Sequence, residues 1–351
     1  MTTDSEVAVT GGGKPNRKAN IFDVARLAGV SHQTVSRVIN DFPSVRPATR
    51  QRVQQAITQL RYSPSPAARA LVTRRTRLIG LIAPSTADYG PASIALHFSD
   101  AARDARYGVV SVTSVDAGAS SIRPLVESLL NQRVEALVLI VTDAAVLAAV
   151  REIDAGVPVV AVAAGPRRGA TTTSIDQYRG ARIAVRHLVD LGHRRIAHLS
   201  GPVSAPDAIE RLRGWRDELA ASQLVAEEPG TGDWSPHSGY RYAESLPSDS
   251  MPSAIFAGND QMALGVISAL KSRGLVVPDD VSVVGFDDIP EAAYFEPPLT
   301  TVSQDFASLG ALTMQRVLIA IEEPDDEAES TPIPTRLIVR GSSMRVSPGR
   351  S

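Results

Sequence analysis

The sequence IFDVARLAGVSHQTVSRVIN, residues 21–40, predicts two short helices joined by a tight turn. Asn20 can cap the first helix, and Gly29 is a typical residue at a helix stop. Ser31 can cap the second helix, which we expect to run to about Asn40. Two such helices are typical of a helix-turn-helix unit. The side chains predicted to face its interior are Ile21, Val24, Ala25, Ala28, Val35 and Val38.

The second of these helices has polar side chains on its outer face. In a DNA major groove, Gln pairs well with adenine and Arg with guanine, whereas Ser and Thr more often contact phosphates. We expect His32 and Gln33 to read bases, with Arg37 one turn further along. Spacing alone fits an ordinary surface helix equally well. The predicted DNA contacts of this unit are Ser31, His32, Gln33, Thr34, Ser36, Arg37 and Asn40.

A third helix is predicted to begin at Pro47, because proline suits the first position of a helix. The segment that follows, YSPSPAARALVTRRTR at 62–77, is rich in arginine, and its prolines exclude a continuous helix. We interpret this segment as a hinge in which AARALV can form a short helical turn. The predicted buried stripe of the third helix consists of Val53, Ala56, Ile57 and Leu60.

Charge is unevenly distributed along the chain. Residues 1–77 hold 13 Lys and Arg against 4 Asp and Glu, whereas the remaining residues hold 23 against 34. The basic first part is therefore expected to meet a polyanion that the acidic remainder does not. From charge alone, nucleic acid as the partner and a merely solvated basic end remain equally open.

From Arg77 onward, apolar runs of strand length alternate with helical patterns such as ARIAVRHLVDLG and DQMALGVISALKSRG. Near-continuous apolar strands separated by helices indicate parallel sheets that are covered on both faces. Two successive series predict two α/β subdomains. The predicted strands are RLIGLIAPS, GVVSVTSVD, EALVLIVT and VPVVAVAAG in the first series, and RRIAHLSGP, SAIFAGND and VSVVGFDD in the second.

Polar residues follow the carboxyl ends of several predicted strands, where ligands bind in such sheets. Asp, Asn and Arg offer the donors and acceptors that sugar hydroxyls need. We interpret Asp260 and Asp288 as structural residues. For Arg211, Asn259 and Asp287, residue chemistry leaves a structural role and a ligand-binding role equally open.

Long motifs in both parts of the chain resemble the LacI/GalR family of bacterial transcription regulators. They are IFDVARLAGVSHQTVSRVIN and RPATRQRVQQAITQLRYSPSPAARAL, followed by LGHRRIAHLSGP, ERLRGW, GDWSPHSGY, FAGNDQMALGVISAL and PPLTTVSQDFASLG. The resemblance covers about residues 20–345 and is to the lactose-repressor branch of the family. It implies that the hinge forms a helix on operator DNA. It also implies that Leu71, beside Ala68, enters the minor groove and kinks the duplex.

The resemblance also implies a two-lobed core, similar to periplasmic binding proteins, with an effector cleft. Trp234 would stack on the apolar side of a pyranose ring. The side of the cleft with Arg211, Trp234 and Asp287 keeps the pattern of the lactose-repressor branch, which implies that the grip on one sugar ring is retained. The opposite wall departs from that pattern at Asp88, Ile140, Ala163 and Asp207. We therefore expect a galactoside or related oligosaccharide, and not lactose itself. The implied effector contacts are Asp88, Pro91, Ile94, Asp207, Arg211, Trp234, Asn259, Asp287, Gln304 and Phe306.

The expected fold class is α/β, with an all-α helix-turn-helix unit followed by the two-lobed core. The C-terminal sequence has no leucine heptad, so we expect a homodimer that binds a pseudo-palindromic operator. The predicted divisions are a disordered tail at 1–19, a DNA-binding domain at 20–62, a hinge at 63–76 and an effector core at 77–345, whose subdomains are 77–175 with 305–335 and 176–304 with 336–345.

The predicted function is repression of carbohydrate-utilisation genes, relieved by a sugar inducer. A corepressor acting on the same fold, or a sugar-binding protein without a regulatory role, remains open. We predict no catalysis, because HExxH and GxSxG are absent and GGGK at 11–14 lacks P-loop spacing. The absence of cysteine excludes disulfides and zinc fingers, and no metal or cofactor is expected. No apolar run reaches about 18 residues and no secretory signal precedes residue 20, so we expect a cytoplasmic protein.

Overall fold

The computed structural model describes residues 19–39, 42–62, 75–86, 88–115, 119–146, 155–164, 171–323 and 331–346. The chain divides into two compact units, Met1–Thr76 and Arg77–Ser351. Three of the predicted DNA contacts, Asn40, Ala68 and Leu71, lie outside the described residues, as do residues 1–18 of the predicted tail and 63–74 of the predicted hinge.

The first unit contains three helices among its described residues: α1 (Ile21–Ala28), α2 (His32–Ile39) and α3 (Pro47–Gln59). The Asn20 side chain accepts hydrogen bonds from the backbone of Phe22 and Asp23, and the Asp23 carboxylate accepts one from the backbone N–H of Asn20. This capping box confirms the predicted start of α1. Gly29 ends the helix in the left-handed conformation with a φ of 64°, which a glycine adopts without strain.

The three helices enclose a small apolar core. Val24, Val35 and Val53, one from each helix, are fully buried at its centre. The predicted inward faces of all three helices are confirmed, since every residue assigned to them packs in this core. The full set is Ile21, Val24, Ala25, Ala28, Val35, Val38, Val53, Ala56, Ile57 and Leu60.

The first lobe of the second unit is a parallel sheet in the order β2-β1-β3-β4-β5. Helices pack on both of its faces, as the near-continuous apolar strands predicted. Its elements are β1 (Leu78–Pro84), α4 (Tyr89–Asp104), β2 (Gly108–Ser114), α5 (Ala119–Asn131), β3 (Ala136–Ile140), β4 (Val159–Val162) and β5 (Thr171–Thr173).

The second lobe is a sheet in the order β11-β10-β9-β8-β6-β7, parallel except for the antiparallel pair β10 and β11. Its core is built by α6 and α7 on one face and by α8 and α9 on the other. Its elements are α6 (Gln177–Asp190), β6 (Ile196–Ser200), α7 (Pro206–Ala221), β7 (Gly230–Thr231), α8 (Pro236–Ser245), β8 (Ala254–Ala257), α9 (Asp260–Ser272), β9 (Ser282–Asp287), β10 (Thr300–Ser303) and β11 (Arg336–Ile338).

The chain passes between the lobes at three places. It leaves β5 at Thr173 and begins α6 at Gln177, and it leaves β10 at Ser303 and begins α10 (Phe306–Glu322). Helix α10 packs in the core of the first lobe, against Phe98 of α4 among others. The chain returns to the second lobe at β11. The predicted fold class, an all-α unit followed by a two-lobed core of parallel sheets, is confirmed.

Four strands, β5, β7, β10 and β11, were not among the strand predictions. Each has two to four residues, and none contains a long apolar run. Local periodicity carries little signal over so few residues. Among the described residues, none of the helices has the length and apolar character needed to cross a membrane.

Gly310 of α10 provides a test of how the first lobe packs. A Cβ atom there would lie 2.6–2.8 Å from backbone atoms of His97 and Phe98, so Gly310→Ala must push α10 away from α4. We expect a loss of about 1–3 kcal/mol in the free energy of unfolding. Urea unfolding followed by tryptophan fluorescence measures it.

Gly90→Ala in α4 is the matched control, because no atom lies within 4 Å of its Cβ position. This variant should be neutral or slightly more stable than the wild type. Equal unfolding midpoints for the two variants would contradict the close approach of α4 and α10.

Candidate functional site

The outer face of α2 carries the predicted DNA contacts that the structure describes. Ser31, His32, Gln33 and Arg37 are exposed, whereas Thr34 and Ser36 are half-buried. The Ser31 hydroxyl accepts a hydrogen bond from the Thr34 backbone N–H at 3.2 Å, which confirms Ser31 as the helix cap. Its hydroxyl also lies 3.0 Å from the Thr34 hydroxyl.

Two contacts with neighbouring elements shape this face. The ring of His32 lies 5.1 Å from the ring of Phe22 on α1, which limits the positions that the imidazole can take. Arg50 of α3 donates a hydrogen bond of 2.8 Å to the carbonyl of Phe42, in the loop after α2. The exposed basic residues described in this unit include Arg26, Arg37, Arg46, Arg52 and Arg61.

In the second unit, a cleft between the two lobes contains about 750 Å³ of space, including the part open to solvent. It lies at the carboxyl ends of β3, β4, β8, β9 and β10, as expected for parallel sheets. Its size suits a small ligand. All ten residues predicted to contact an effector line this cleft: Asp88, Pro91, Ile94, Asp207, Arg211, Trp234, Asn259, Asp287, Gln304 and Phe306.

Four buried polar side chains form a closed ring at the base of the cleft. Arg211 Nε donates to Gln177 Oε1 at 2.9 Å, and Gln177 Nε2 donates to Gln304 Oε1 at 2.8 Å. Gln304 Nε2 donates to Asp287 Oδ1 at 2.7 Å, and Arg211 Nη2 lies 3.5 Å from that same oxygen. The ring therefore pairs the buried guanidinium with a buried carboxylate, as burial of charge requires.

Arg211 has two further sets of contacts. Its Nη1 donates to the carbonyl of Gly258, and its Nη2 lies 3.9 Å from the carboxylate of Asp207. Its guanidinium carbon lies 3.9 Å from the centre of the Phe286 ring and 5.5 Å from that of Trp234. Arg211 therefore links the polar base of the cleft to its aromatic wall.

Trp234 lies in the loop after β7, with a φ of 70°. The Asn259 side chain holds this loop, because its Nδ2 donates to the Trp234 carbonyl at 3.0 Å. Asn259 Oδ1 accepts the Met262 backbone N–H at 2.8 Å and so caps α9. Gly201 makes room for the indole, since a Cβ there would lie 2.2 Å from ring atoms. Asn259 thus lines the cleft and also positions Trp234.

Asp287 ends β9 with a φ of 113° and is 7% exposed. Burial raises the pKa of its carboxyl to about 6 against the opposing effect of Arg211, while Asp207 and Asp88 raise that pKa further and Gln304 lowers it. Within the described part of the chain, no donor reaches Oδ2 of Asp287. This oxygen is available to accept a hydrogen bond from a ligand hydroxyl.

Asp260 and Asp288 lie behind this site and are structural, as predicted. Asp260 is fully buried and accepts hydrogen bonds from the backbone N–H of Ile289, at 2.9 Å, and from the hydroxyl of Thr301. Burial raises the pKa of Asp260 well above its usual range. Asp288 pairs with Arg340 at 2.7 Å. Together these contacts fix the turn that follows Asp287.

The first lobe contributes an apolar floor to the cleft, formed by Pro91, Ile94 and Phe306. Tyr89 and Gln177 are among the lining residues that the sequence did not indicate. Tyr89 adjoins Asp88, and its ring meets Phe306 edge-on at 5.8 Å. Gln177 begins α6, directly after the first crossing between the lobes. Its neighbours in the sequence do not indicate that it bonds to Arg211 and Gln304.

Two family descriptions match this chain. Residues 20–65 match bacterial regulatory proteins of the lacI family, and residues 185–343 match the periplasmic binding protein-like domain. The chain is 35% identical to the lactose operon repressor of Escherichia coli K12, over 86% of this chain and 84% of that protein. It is 31% identical to catabolite control protein A of Priestia megaterium, over 92% and 98%. It is 34% identical to the transcriptional repressor PurR of Edwardsiella ictaluri, over 92% and 96%.

Solved structures give the same result. The Lac repressor dimer bound to operator and the anti-inducer ONPF superposes with a TM-score of 0.83 at 33% identity, covering 93% of this chain and all of that one. The regulator CelR in complex with cellobiose superposes with a TM-score of 0.71 at 31% identity, with the same coverage.

A helix-turn-helix unit followed by a two-lobed ligand-binding core defines a DNA-binding transcription regulator. The chain belongs to the lacI family of bacterial regulatory proteins and is a transcriptional repressor of that family.

The raised pKa of Asp287 gives a testable pH dependence. Its pKa is about 6 in the folded protein against an ordinary value of 3.8, so the folded protein binds this proton more tightly. Lowering the pH from 7 to 4 should therefore stabilise the wild type through this group, and Asp287→Asn should lose that gain. We compare the free energy of unfolding of Asp287→Asn with that of the wild type at each pH. Between pH 4 and pH 7, this comparison should shift in favour of the variant by up to about 3 kcal/mol.

Urea unfolding of both proteins across this pH range measures the difference. Asp249→Asn, an exposed carboxylate outside the cleft, is the control and should show no such change. A difference that stays constant with pH in Asp287→Asn would mean that Asp287 ionises normally.

Proposed function

We propose that the chain is a dimeric repressor that binds a pseudo-palindromic operator through α2 and leaves it when a saccharide enters the cleft. The observation that carries this proposal is the cleft itself. Trp234 supplies an aromatic face beside the paired Arg211 and Asp287, which offer donors and an acceptor to hydroxyl groups. The regulated genes are proposed to serve carbohydrate use.

On the DNA side, the exposed His32, Gln33 and Arg37 are proposed to reach base edges in the major groove. Ser31 and Thr34, which are already joined at the helix cap, suit contacts with phosphates. Similarity to a repressor whose dimer is seen on operator supports two half-sites related by two-fold symmetry. The proposal includes the predicted DNA-binding domain at 20–62, the hinge at 63–76 and the effector core at 77–345.

On the effector side, similarity to a cellobiose-bound regulator supports a saccharide ligand. Release from DNA requires that the saccharide bind more tightly to the lobe arrangement that disfavours the operator. Such coupling typically amounts to about 1–3 kcal/mol per site. The three crossings between the lobes permit the hinge motion that this mechanism needs.

Similarity to PurR raises a second candidate, a purine-type corepressor in the same cleft. A flat purine would be held best between parallel aromatic faces. In this cleft, Tyr89 and Phe306 contact each other edge-on, with 75° between their planes, and leave no slot between them. The carboxylates around Trp234 also favour a ligand rich in hydroxyl donors, and the inducer proposal is therefore preferred.

Arg37 provides the test of the DNA contact. Duplexes selected from a random pool by the purified protein should contain an inverted repeat. Arg37→Ala should weaken binding to the selected operator and relax discrimination at one base position per half-site by about 1–3 kcal/mol. Fluorescence anisotropy against single-base operator variants measures both effects.

Arg103→Ala is the control, because it removes the same charge from an exposed position of α4 in the second unit, where Arg103 pairs with Asp100. This variant should bind the operator like the wild type. Uniform weakening across all operator variants with Arg37→Ala would assign Arg37 to a phosphate contact.

The two tryptophans allow a direct test of the cleft. Trp215 is fully buried and its Nε1 donates to the carbonyl of Ile196, so it should not report on ligand. A saturable change in emission on titration with galactosides, glucosides and their disaccharides should therefore come from Trp234 and disappear in Trp234→Phe. Asp287→Ala should weaken binding about tenfold or more by removing a charged acceptor.

The saccharide that changes the emission should also release the protein from labelled operator. Unchanged affinity in Asp287→Ala would show that the saccharide binds elsewhere. Tighter binding of operator in the presence of a purine, with no response to any saccharide, would support the second candidate.

A further inference from the structure

A second space lies beside the cleft. We call it the outer chamber and define it by the lining residues Pro84, Ser85, Ser114, Asp143 and Ser204, together with the residues that it shares with the cleft. The two spaces share part of their lining and are therefore adjacent. The shared residues are Asp88, Ile140, Thr142, Ala205 and Trp234.

The charges of this combined space are strongly unequal. Among the described residues that line it, the acidic side chains are Asp88, Asp143, Asp207 and Asp287, and the basic one is Arg211. The hydrogen-bonding capacity of Arg211 is largely used within the protein, by Gln177, by the carbonyl of Gly258 and by the carboxylate of Asp287, and its Nη2 also lies 3.9 Å from the carboxylate of Asp207. One guanidinium therefore faces four carboxyl groups, so the lining has an excess of acidic side chains.

Asp88 is the carboxylate with the fewest ties to the protein. It occupies the N-cap position of α4, but its side chain makes no capping hydrogen bond. Within the described residues its carboxylate has no ion pair or hydrogen bond. The hydrogen bonds of Asp88 are made by its backbone, whose N–H donates to the Thr86 hydroxyl at 2.9 Å and whose carbonyl accepts from the Ala92 N–H at 3.2 Å. Asp88 also lines both chambers together with Trp234, so a ring stacked on the indole lies in the same part of the cleft.

Closing the lobes around a ligand removes water from these carboxylates, which costs free energy unless a partner replaces the water. A neutral sugar offers hydroxyl donors, and an anionic sugar adds repulsion. A protonated amine offers both the opposite charge and up to three donors, and its charge-assisted hydrogen bonds are stronger than neutral ones.

We propose that the effector of this protein is an amino sugar, whose ammonium group binds between Asp88 and Asp207 while its ring stacks on Trp234. The inference rests on the proposed function, since it assigns a chemical class to the ligand of the same cleft. The outer chamber allows a second sugar ring, so a disaccharide of amino sugars fits the combined space.

Three matched dimers test the inference, namely β-1,4-linked dimers of glucosamine, of N-acetylglucosamine and of glucose. They differ at the 2-position, which carries an ammonium, an acetamide or a hydroxyl group. Galactosamine, N-acetylgalactosamine and galactose form a second matched set. Calorimetry and Trp234 fluorescence on the full-length protein, at low salt and slightly acidic pH, give the affinity ratio within each set.

We expect the ammonium member of at least one set to bind about tenfold or more tightly than its hydroxyl counterpart. Asp88→Asn should bring this ratio close to one, and added salt should lower it in the wild type. Asn keeps the size of the side chain and removes its charge. Because the Asp88 side chain makes no capping hydrogen bond, the substitution should leave the start of α4 unchanged. Asp249→Asn, outside the cleft, should preserve the wild-type ratio.

The outcomes separate the two proposals. Saturable binding of the hydroxyl sugars with no preference for the ammonium members would overturn the amino-sugar inference and leave the saccharide cleft standing. A preference that survives both Asp88→Asn and Asp207→Asn would also overturn it, because the ammonium would then bind elsewhere. If no member of either set binds, both the inference and the proposed saccharide effector fail.

Discussion

The buried ring of Arg211, Gln177, Gln304 and Asp287 is the interaction on which the cleft depends. A guanidinium and a carboxylate that are each more than nine-tenths buried cannot persist without partners, because water no longer solvates them. The two glutamine amides complete the ring by giving both charges hydrogen-bonding partners. Once the ring is closed, the positions of α6, α7, β9 and the end of β10 relative to one another are fixed.

The ring also lies where the two lobes are connected. Gln177 begins α6 directly after the first crossing, and Gln304 follows β10 directly before the second. In the proposed mechanism, a ligand that bonds to Asp287 Oδ2 touches a group whose other oxygen is held by Gln304. In this mechanism, the hydrogen bond from Gln304 to Asp287 couples ligand binding to the geometry of the crossing at Gln304. Regulation by a ligand requires such a coupling.

Much of the fold could be predicted from local patterns. Asn20, Ser31 and Gly29 signal helix ends through their own side chains or backbone freedom, and the structure has those ends where predicted. The long apolar strands were found because burial on both faces leaves a continuous run of apolar residues. The short β5, β7, β10 and β11 were missed, because each has only two to four residues and none contains a long apolar run.

Part of the candidate site could likewise be predicted from the sequence, and part of it could not. Residue chemistry left a structural role and a ligand-binding role equally open for Arg211, Asn259 and Asp287. Resemblance to a family then gave the set of ten residues that the fold brings to one cleft. Their contacts with an effector remain a prediction. Nothing in the chain order indicated that Asn259 holds the Trp234 loop, or that Gln177 and Gln304, which are 127 positions apart, share a hydrogen bond.

Helix ends, buried strands and the unequal charge of the two units follow from neighbouring residues, since capping, periodicity and net charge act over a few positions of the chain. The closed polar ring, the raised pKa of Asp287 and the two adjacent spaces whose linings include four carboxyl groups required the tertiary structure. These features depend on which distant side chains lose water together, and only the packing of the two lobes sets that.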